Sequence, residues 1–314
     1  MIEKIIYLES IDPIDIYGIN NSNLEKIKNL FPKIKIIARG NEIKVQGGKT
    51  EIANFEDRIN LLIEYLEKYN SLSDATLEKI LAQDGEKFIE SSEKSENVLV
   101  FGNSGRPIKA KTFHQNVMVE KANTNDLLIA IGPAGTGKTY ISIALAVRAL
   151  RNREVRRIIL TRPAVEAGEK LGFLPGDYKE KLDPYMQPLY DALNDMIPQR
   201  KLNELMEDGI VQIAPLAFMR GRTLNEAFVI LDEAQNATRN QLKMFLTRMG
   251  ENSKFAVTGD VTQIDLPHKS MSGLLEVKNI LGNIEGIAFI DFDKQDVIRH
   301  KLVRNIIEAY ESQE

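Results

Sequence analysis

Gly132, Pro133, Ala134, Gly135, Thr136, Gly137, Lys138 and Thr139 follow an apolar run, Leu127–Ile131, and open a second apolar run with helical spacing. The pattern G-x-x-x-x-G-K-[ST] between a strand and a helix suits one task, the binding of a chain of phosphates. Small residues let an anion approach the backbone, the amides of the loop and helix N-terminus point at it, and a lysine neutralises its outer charges. Thr139 adds a hydroxyl suited to magnesium. The alternative, a glycine turn beside a chance lysine, has to explain matching positions that already sit in the required context.

Phosphate binding alone does not separate hydrolase from kinase or switch, so the next acidic strand end matters. In FVILDEAQN, Asp232 ends an apolar strand where it can hold the metal, and Glu233 beside it can act as general base toward water. The bland reading is an exposed acidic pair. The chain lacks an N-K-x-D motif in the stretch expected for guanine recognition, which disfavours a GTPase. A kinase remains an alternative, although Glu233 next to Asp232 favours hydrolysis. KFAVTGDVTQIDLP supplies a third strand end, with Gly259, Asp260 and Gln263 placed to meet the same phosphates and Gln263 suited to sensing the γ-phosphate.

These residues need a scaffold that brings distant strand ends together. From Leu127 onward, apolar strands (LLIAIG, RRIILTRP, GIVQIAPL, FVILDEA, KFAVTGD and IAFIDF) alternate with helical patterns. Continuous apolar strands of this kind predict a mostly parallel sheet covered on both faces, with ligands beyond the strands' carboxyl ends. GPAGTGKT, TRPA, DEAQN and GDVTQ each follow a strand directly, so the fold places them along one edge. Residues 1–70 read separately as a small α+β domain, in the order strand, helix, two short strands and a long helix. Its long helix repeats Ile52, Phe55, Ile59, Leu62, Ile63, Leu66 and Tyr69 at three- and four-residue intervals, the mark of one buried face. Residues 71–111 are expected to connect this domain to a second one spanning 112–314.

Bulk properties remove several classes of function. The 314 residues contain no cysteine, so disulfides, thiolate metal centres and cysteine nucleophiles are excluded, and the three histidines are widely spaced. Lys and Arg number 41 against 45 acidic residues, a net charge of −4, so any nucleic-acid contact has to come from a local patch. No stretch reaches the ~20 apolar residues of a membrane span, and the N-terminus does not read as a signal peptide. The expected location is the cytoplasm, without membrane contact.

GPAGTGKT, DEAQN and TGDVTQ in this order resemble the nucleotide-binding core of superfamily 1 helicases. TRPAVEAGEKLGFLPGD (161–177) and AFMRGRTL (217–224) resemble, more narrowly, the PhoH-like ATPase family, over roughly residues 110 to 312. The resemblance implies a RecA-like P-loop core, ATP binding and Mg2+-dependent hydrolysis, and a role connected with RNA. It also implies that Gln115, in KTFHQ, meets the adenine edge, although Phe113 and His114 stand where the family pattern has proline and asparagine. With one RecA-like domain, an arginine for the transition state has to come from elsewhere, and the resemblance favours a homo-oligomeric ring such as a hexamer in which a neighbour donates it. Arg299 is the first candidate, with Arg220 and Arg222 as alternatives. The loop after the second strand in related helicases touches nucleic acid, which makes Thr161, Arg162 and Lys170 candidate RNA or coupling contacts, against a purely structural loop.

The N-terminal domain is similar in order to a KH-type RNA-binding module. Lys33, Lys35 and Arg39 lie by strand alternation opposite Ile34, Ile36 and Ala38, with Lys44 and Lys49 nearby, but no GXXG clamp stands where such a module carries it. The resulting expectation is an ATPase that couples hydrolysis to binding or remodelling of single-stranded RNA, with RNA helicase-like activity as an extension. The alternative is a nucleotide-dependent assembly adaptor that delivers RNA to a separate endoribonuclease without unwinding.

Overall fold

The computed structural model describes residues 2–9, 11–69, 72, 74–82, 98–163, 178–298 and 302. The chain divides into two compact units, Met1–Ile108 with Asn194–Glu204, and Lys109–Leu193 with Leu205–Glu314.

The first unit begins with β1 (Ile2–Tyr7), then α1 (Pro13–Tyr17), α2 (Ser22–Leu30), β2 (Lys35–Arg39), β3 (Glu42–Gly47), α3 (Lys49–Tyr69) and α4 (Asp74–Leu81). The strands form an antiparallel sheet in the order β1-β3-β2. Alternation sends Ile34, Ile36, Ile43 and Val45 inward against Phe55, Ile59 and Leu62 of α3. Lys35 and Arg39 are exposed, as their alternation requires, and Lys33 is exposed in the turn before β2. Glu3, Lys44 and Gln46 face away from the core, with Lys44 paired to Glu3 at 2.6 Å.

One element differs from expectation. Helix α1 precedes α2, so two helices rather than one separate β1 from β2. Asp12 accepts a hydrogen bond from the Ile14 amide and caps α1, Pro13 opens it, and Gly18 at φ 73° ends it. The connection between the helices is Gly18-Ile19-Asn20-Asn21, with both asparagines at positive φ. After α4, β4 (Val98–Phe101) and β5 (Pro107–Lys109) form a two-stranded ribbon. Tyr69 of α3 packs on Phe101 of β4 with ring centroids 4.5 Å apart. Most of the segment expected to be a connection, 71–111, therefore falls within the first unit, joined there by Asn194–Glu204 from much later in the chain.

The second unit runs through α5 (Phe113–Thr124), β6 (Leu127–Ile131), α6 (Lys138–Arg151), β7 (Arg157–Arg162) and α7 (Tyr178–Met196). After α8 (Gln199–Glu207), most of which belongs to the first unit, it continues through β8 (Val211–Pro215), β9 (Ala227–Leu231), α9 (Arg239–Leu246), β10 (Lys254–Gly259), α10 (Val277–Leu281) and β11 (Ile287–Asp291). The six expected strands form one sheet in the order β11-β6-β10-β9-β7-β8, with every pairing parallel. Leu231, Ile230, Val229, Ile159, Ile129 and Ala256 are buried, as strands covered on both faces require. On one face lie Phe245 of α9 and the segment from Leu216 to Leu224, and α6 packs on β7, β9 and β10. One strand, β10, stands between the glycine-loop strand β6 and the Asp232 strand β9, the arrangement of a RecA-like P-loop core. Among the described residues, no helix is long and apolar enough to cross a membrane.

Candidate active site at the carboxyl edge of the parallel sheet

Parallel strands end on the same edge, and here four of those ends are joined by hydrogen bonds. The Thr139 hydroxyl, in the first turn of α6, donates to Asp232 Oδ1 at 2.6 Å. From β10, the Thr258 hydroxyl donates to the same oxygen at 2.7 Å. From β7, Arg162 donates through Nε at 2.8 Å and Nη2 at 2.5 Å to Asp232 Oδ2. The Ala134 amide donates to Asp260 Oδ2 at 2.9 Å, tying the glycine loop to the end of β10.

The loop itself curls around its lysine. Lys138 Nζ donates to the carbonyls of Gly132 at 2.7 Å and Pro133 at 2.8 Å, so the ammonium is held at the loop's centre. Burial pushes its pKa down, against the opposing pull of Asp260, Asp232 and Glu233. Gly137 turns the chain into α6 at φ 81°, and a Cβ there would lie 2.6 Å from Gln115 Nε2. A Cβ on Gly132 would collide with the Phe292 carbonyl. Both positions therefore need glycine, one for its backbone angle and one for room.

Glu233 follows Asp232 in the left-handed region, at φ 55° and ψ 39°. Such a conformation costs a non-glycine residue roughly 1–3 kcal/mol and is held by its surroundings. Its holder is Gln235, whose Nε2 donates to Glu233 Oε2 at 2.6 Å and to the Gln263 carbonyl at 3.1 Å. Gln235 Oε1 accepts from the Asp260 amide at 3.0 Å. Burial raises the Glu233 pKa, and the adjacent Asp232 raises it further, whereas Gln235, Arg162 and Lys138 pull it down. The carboxyl group therefore titrates above its ordinary range, chiefly because it is buried.

The other sequence candidates are placed as follows. Gln263 Nε2 donates to Asp260 Oδ2 at 2.9 Å. Gln115 lies in the first turn of α5, buried, with Nε2 donating to the Thr136 carbonyl and Oε1 accepting from the Lys111 amide, each at 2.8 Å. Its amide is thus engaged at the glycine loop. Arg162 points inward onto Asp232, and Thr161 is fully buried, its hydroxyl without a hydrogen-bond partner among the described residues. Arg222 donates to Gln212 Oε1 at 2.9 Å, and Arg220 is exposed. Arg299 and Lys170 lie outside the described residues.

Thr258, Gln235 and the partner of Arg162 escaped sequence reading. Thr258 carries a weak signal, a lone hydroxyl in an otherwise apolar strand, and Gln235 sits within the DEAQN motif without an assigned task. A second cluster also escaped it: His114 Nδ1 lies 2.6 Å from Asp296 Oδ2, and the Ile298 amide donates to the Gly135 carbonyl at 2.9 Å. Burial pushes the Asp296 carboxyl up, but hydrogen bonds from Thr112, the Asp293 amide and His114 outweigh it and hold the group below its ordinary value.

The site fits a magnesium–triphosphate ligand in its donor chemistry. The Thr139 hydroxyl and the Asp232 carboxylate converge as hard oxygen donors, and such oxygens suit magnesium held mainly by substrate phosphates. Lys138 and the loop amides supply the positive side.

A family model described as PhoH-like protein matches residues 107–311. A PhoH-like protein of Bacillus subtilis (strain 168) is 46% identical over 305 residues, covering 96% of this chain and 95% of that protein. One from Synechocystis is 48% identical over 281 residues, covering 89% of this chain and 86% of that protein. Among solved structures, the UvsW helicase from Bacteriophage T4 aligns with a TM-score of 0.35 and 15% identity, over 78% of this chain and 77% of that one. That structural likeness is too remote to carry an argument.

Proposed function

Because this chain belongs to the PhoH-like family, a group of P-loop proteins whose fold is that of a nucleotide-binding ATPase, we propose that it hydrolyses ATP with Mg2+ and couples this to single-stranded RNA. In this reading the amides of Gly132 to Gly137 and the Lys138 ammonium hold the β- and γ-phosphates. Thr139 and Asp232 hold magnesium, which when bound neutralises charge on those phosphates. Glu233 takes a proton from the attacking water, and Gln235 holds its carboxylate in place. Gln263 senses the γ-phosphate from the end of β10, and Gln115 reads the adenine edge. Before it does so, its amide has to exchange the Thr136 carbonyl for the base.

The observation that carries this reading is the meeting of three strand ends on Asp232: Thr139 and Thr258 on one oxygen, Arg162 on the other. A structural acidic strand end has no need of a P-loop hydroxyl at 2.6 Å. A single P-loop core among the described residues favours holding or threading RNA over unwinding by a monomer. The reading therefore includes a homo-oligomeric ring in which Arg299 of one subunit completes the site of the next, in a cytoplasmic protein. In the first unit, exposed Lys33, Lys35 and Arg39 offer the basic surface for RNA, while the Gly18–Asn21 connection between α1 and α2 lacks the GXXG sequence of a KH-type clamp.

The test is ATP turnover with and without single-stranded RNA, on wild type and Glu233→Gln, with mass determination in Mg2+ and ATP. The expected outcome is RNA-stimulated turnover by an oligomer and a loss of about 10²- to 10⁴-fold in Glu233→Gln, the usual contribution of a general base. Turnover that ignores both RNA and the substitution would remove the reading.

A further inference from the structure

Arg162 ends β7 and is nearly buried, with 14% of its side chain exposed against 3% for Asp232. Three of its nitrogens are committed: Nε and Nη2 to Asp232 Oδ2, and Nη1 to the Tyr185 carbonyl of α7 at 2.7 Å. A guanidinium facing a carboxylate ordinarily spans both oxygens in parallel. Here both bonds converge on one oxygen, and Oδ1 is left to Thr139 and Thr258 at 2.6 and 2.7 Å. The arginine thereby decides which oxygen Asp232 turns toward the P-loop, and its third bond fastens that choice to the backbone of a helix.

We propose that Arg162 is a positioning residue that couples divalent-cation binding at Asp232 to α7 through the Tyr185 carbonyl. The proposal rests on the reading of Asp232 as a magnesium holder. A divalent charge arriving on the carboxylate weakens the hold of Oδ2 on the neighbouring guanidinium, because both cations draw on the same anion. The guanidinium is anchored at its other end to the Tyr185 carbonyl, so its displacement loosens a side-chain hydrogen bond accepted by the backbone of α7. Linkage makes the effect reciprocal: anything that draws α7 away from Arg162 changes the affinity of Asp232 for the cation by the same factor. Of the roles open to Arg162 in the sequence, an RNA contact, a coupling contact or a part of a structural loop, this one is coupling, exerted between the metal ligand and a helix.

The experiment compares full-length wild type, Arg162→Ala and Arg162→Lys. One measurement titrates Mg2+ into protein with a fluorescent, non-hydrolysable ATP analogue. The other follows hydrogen exchange in peptides covering residues 185–193, with analogue alone and with analogue plus Mg2+. In wild type, Mg2+ is expected to raise exchange in these peptides. In Arg162→Ala that response disappears, and half-saturation moves to a Mg2+ concentration about fivefold lower or more, the low end of ordinary coupling. Arg162→Lys keeps the charge but cannot span both partners, so its Mg2+ midpoint stays near wild type while the α7 response is lost. An α7 response retained in either variant, or an unchanged midpoint in Arg162→Ala, overturns the proposal. If Arg162→Ala does not fold, the lysine variant decides through its α7 response. Wild-type binding of the analogue without any Mg2+ dependence removes the metal reading itself, whereas Mg2+ dependence with a silent α7 removes only the coupling.

Discussion

The two sheets of this chain solve different problems. The antiparallel sheet of the first unit buries one face against α3 and leaves Glu3, Lys44 and Gln46 on the other, where Lys44 pairs with Glu3. Its strands run in opposite directions, so their ends are divided between two edges. The parallel sheet buries both faces and sends the ends of β6, β7, β9 and β10 to one edge, where Asp232 gathers partners from three of them. A convergent acid–base and phosphate site is natural to the second architecture and foreign to the first. The first offers a surface; the second offers a cleft.

That contrast breaks most readily at Lys138. Replacing it by alanine is expected to lower ATP turnover on the order of 10²- to 10³-fold, the scale for removing one preorganised charge-stabilising donor. Lys44→Ala, on the antiparallel sheet, should leave RNA-free turnover unchanged. A steady-state ATPase assay on both proteins checks the pair, and equal losses would erase the distinction.

Core truncation sharpens the comparison at the level of stability. Phe55 and Phe255 are each fully buried, one in each unit, and alanine at either is expected to cost about 3–5 kcal/mol. Calorimetry or chemical denaturation followed by hydrogen exchange should show each loss concentrated in its own unit. Uniform destabilisation across both would mean that they unfold as one.

A smaller effect concerns the helix that follows the DEAQN segment. Thr238 caps α9 in a reciprocal box, accepting from the Gln241 amide at 3.3 Å while its own amide donates to Gln241 Oε1 at 2.8 Å. Thr238→Ala is expected to cost about 1 kcal/mol, read from the denaturation midpoint, with little change in turnover.

The smallest effect to measure is the pH dependence of Glu233. Its folded pKa lies above the ordinary 4.5, first through burial and then through Asp232. A general base at Glu233 works only when ionised, so in the proposed reading turnover is expected to fall as pH drops through that raised value. The stability sign is opposite. A raised carboxyl pKa contributes stability that is present below the unfolded value and lost as pH rises through the folded one. Glu233→Gln should therefore stabilise the protein at neutral pH relative to wild type, by an amount that shrinks in acid, while turnover shows the loss expected of a missing general base. Melting curves across pH check this.

The sequence on its own carried the parallel sheet and the residue types at its edge. Apolar strands alternating with helical periods admit few folds, and glycine, lysine, threonine and paired acids at those spacings admit little chemistry other than phosphate chemistry. It concealed α1, whose five residues are too few for a period, although Asp12, Pro13 and Gly18 mark its ends. It also concealed the make-up of the first unit, because Asn194–Glu204 joins residues nearly a hundred positions earlier and local patterns hold no record of such distances.

Only the tertiary structure decided which way Arg162 turns. In one dimension it is a charge at the head of a polar loop, where an RNA contact, a coupling contact and a structural role are all open. In three dimensions β7 lies beside β9, and a guanidinium next to a buried carboxylate leaves less charge unpaired by facing it than by facing solvent. Gln235 and Thr258 follow the same rule: side-chain chemistry is written residue by residue, but partners are assigned by which strands become neighbours.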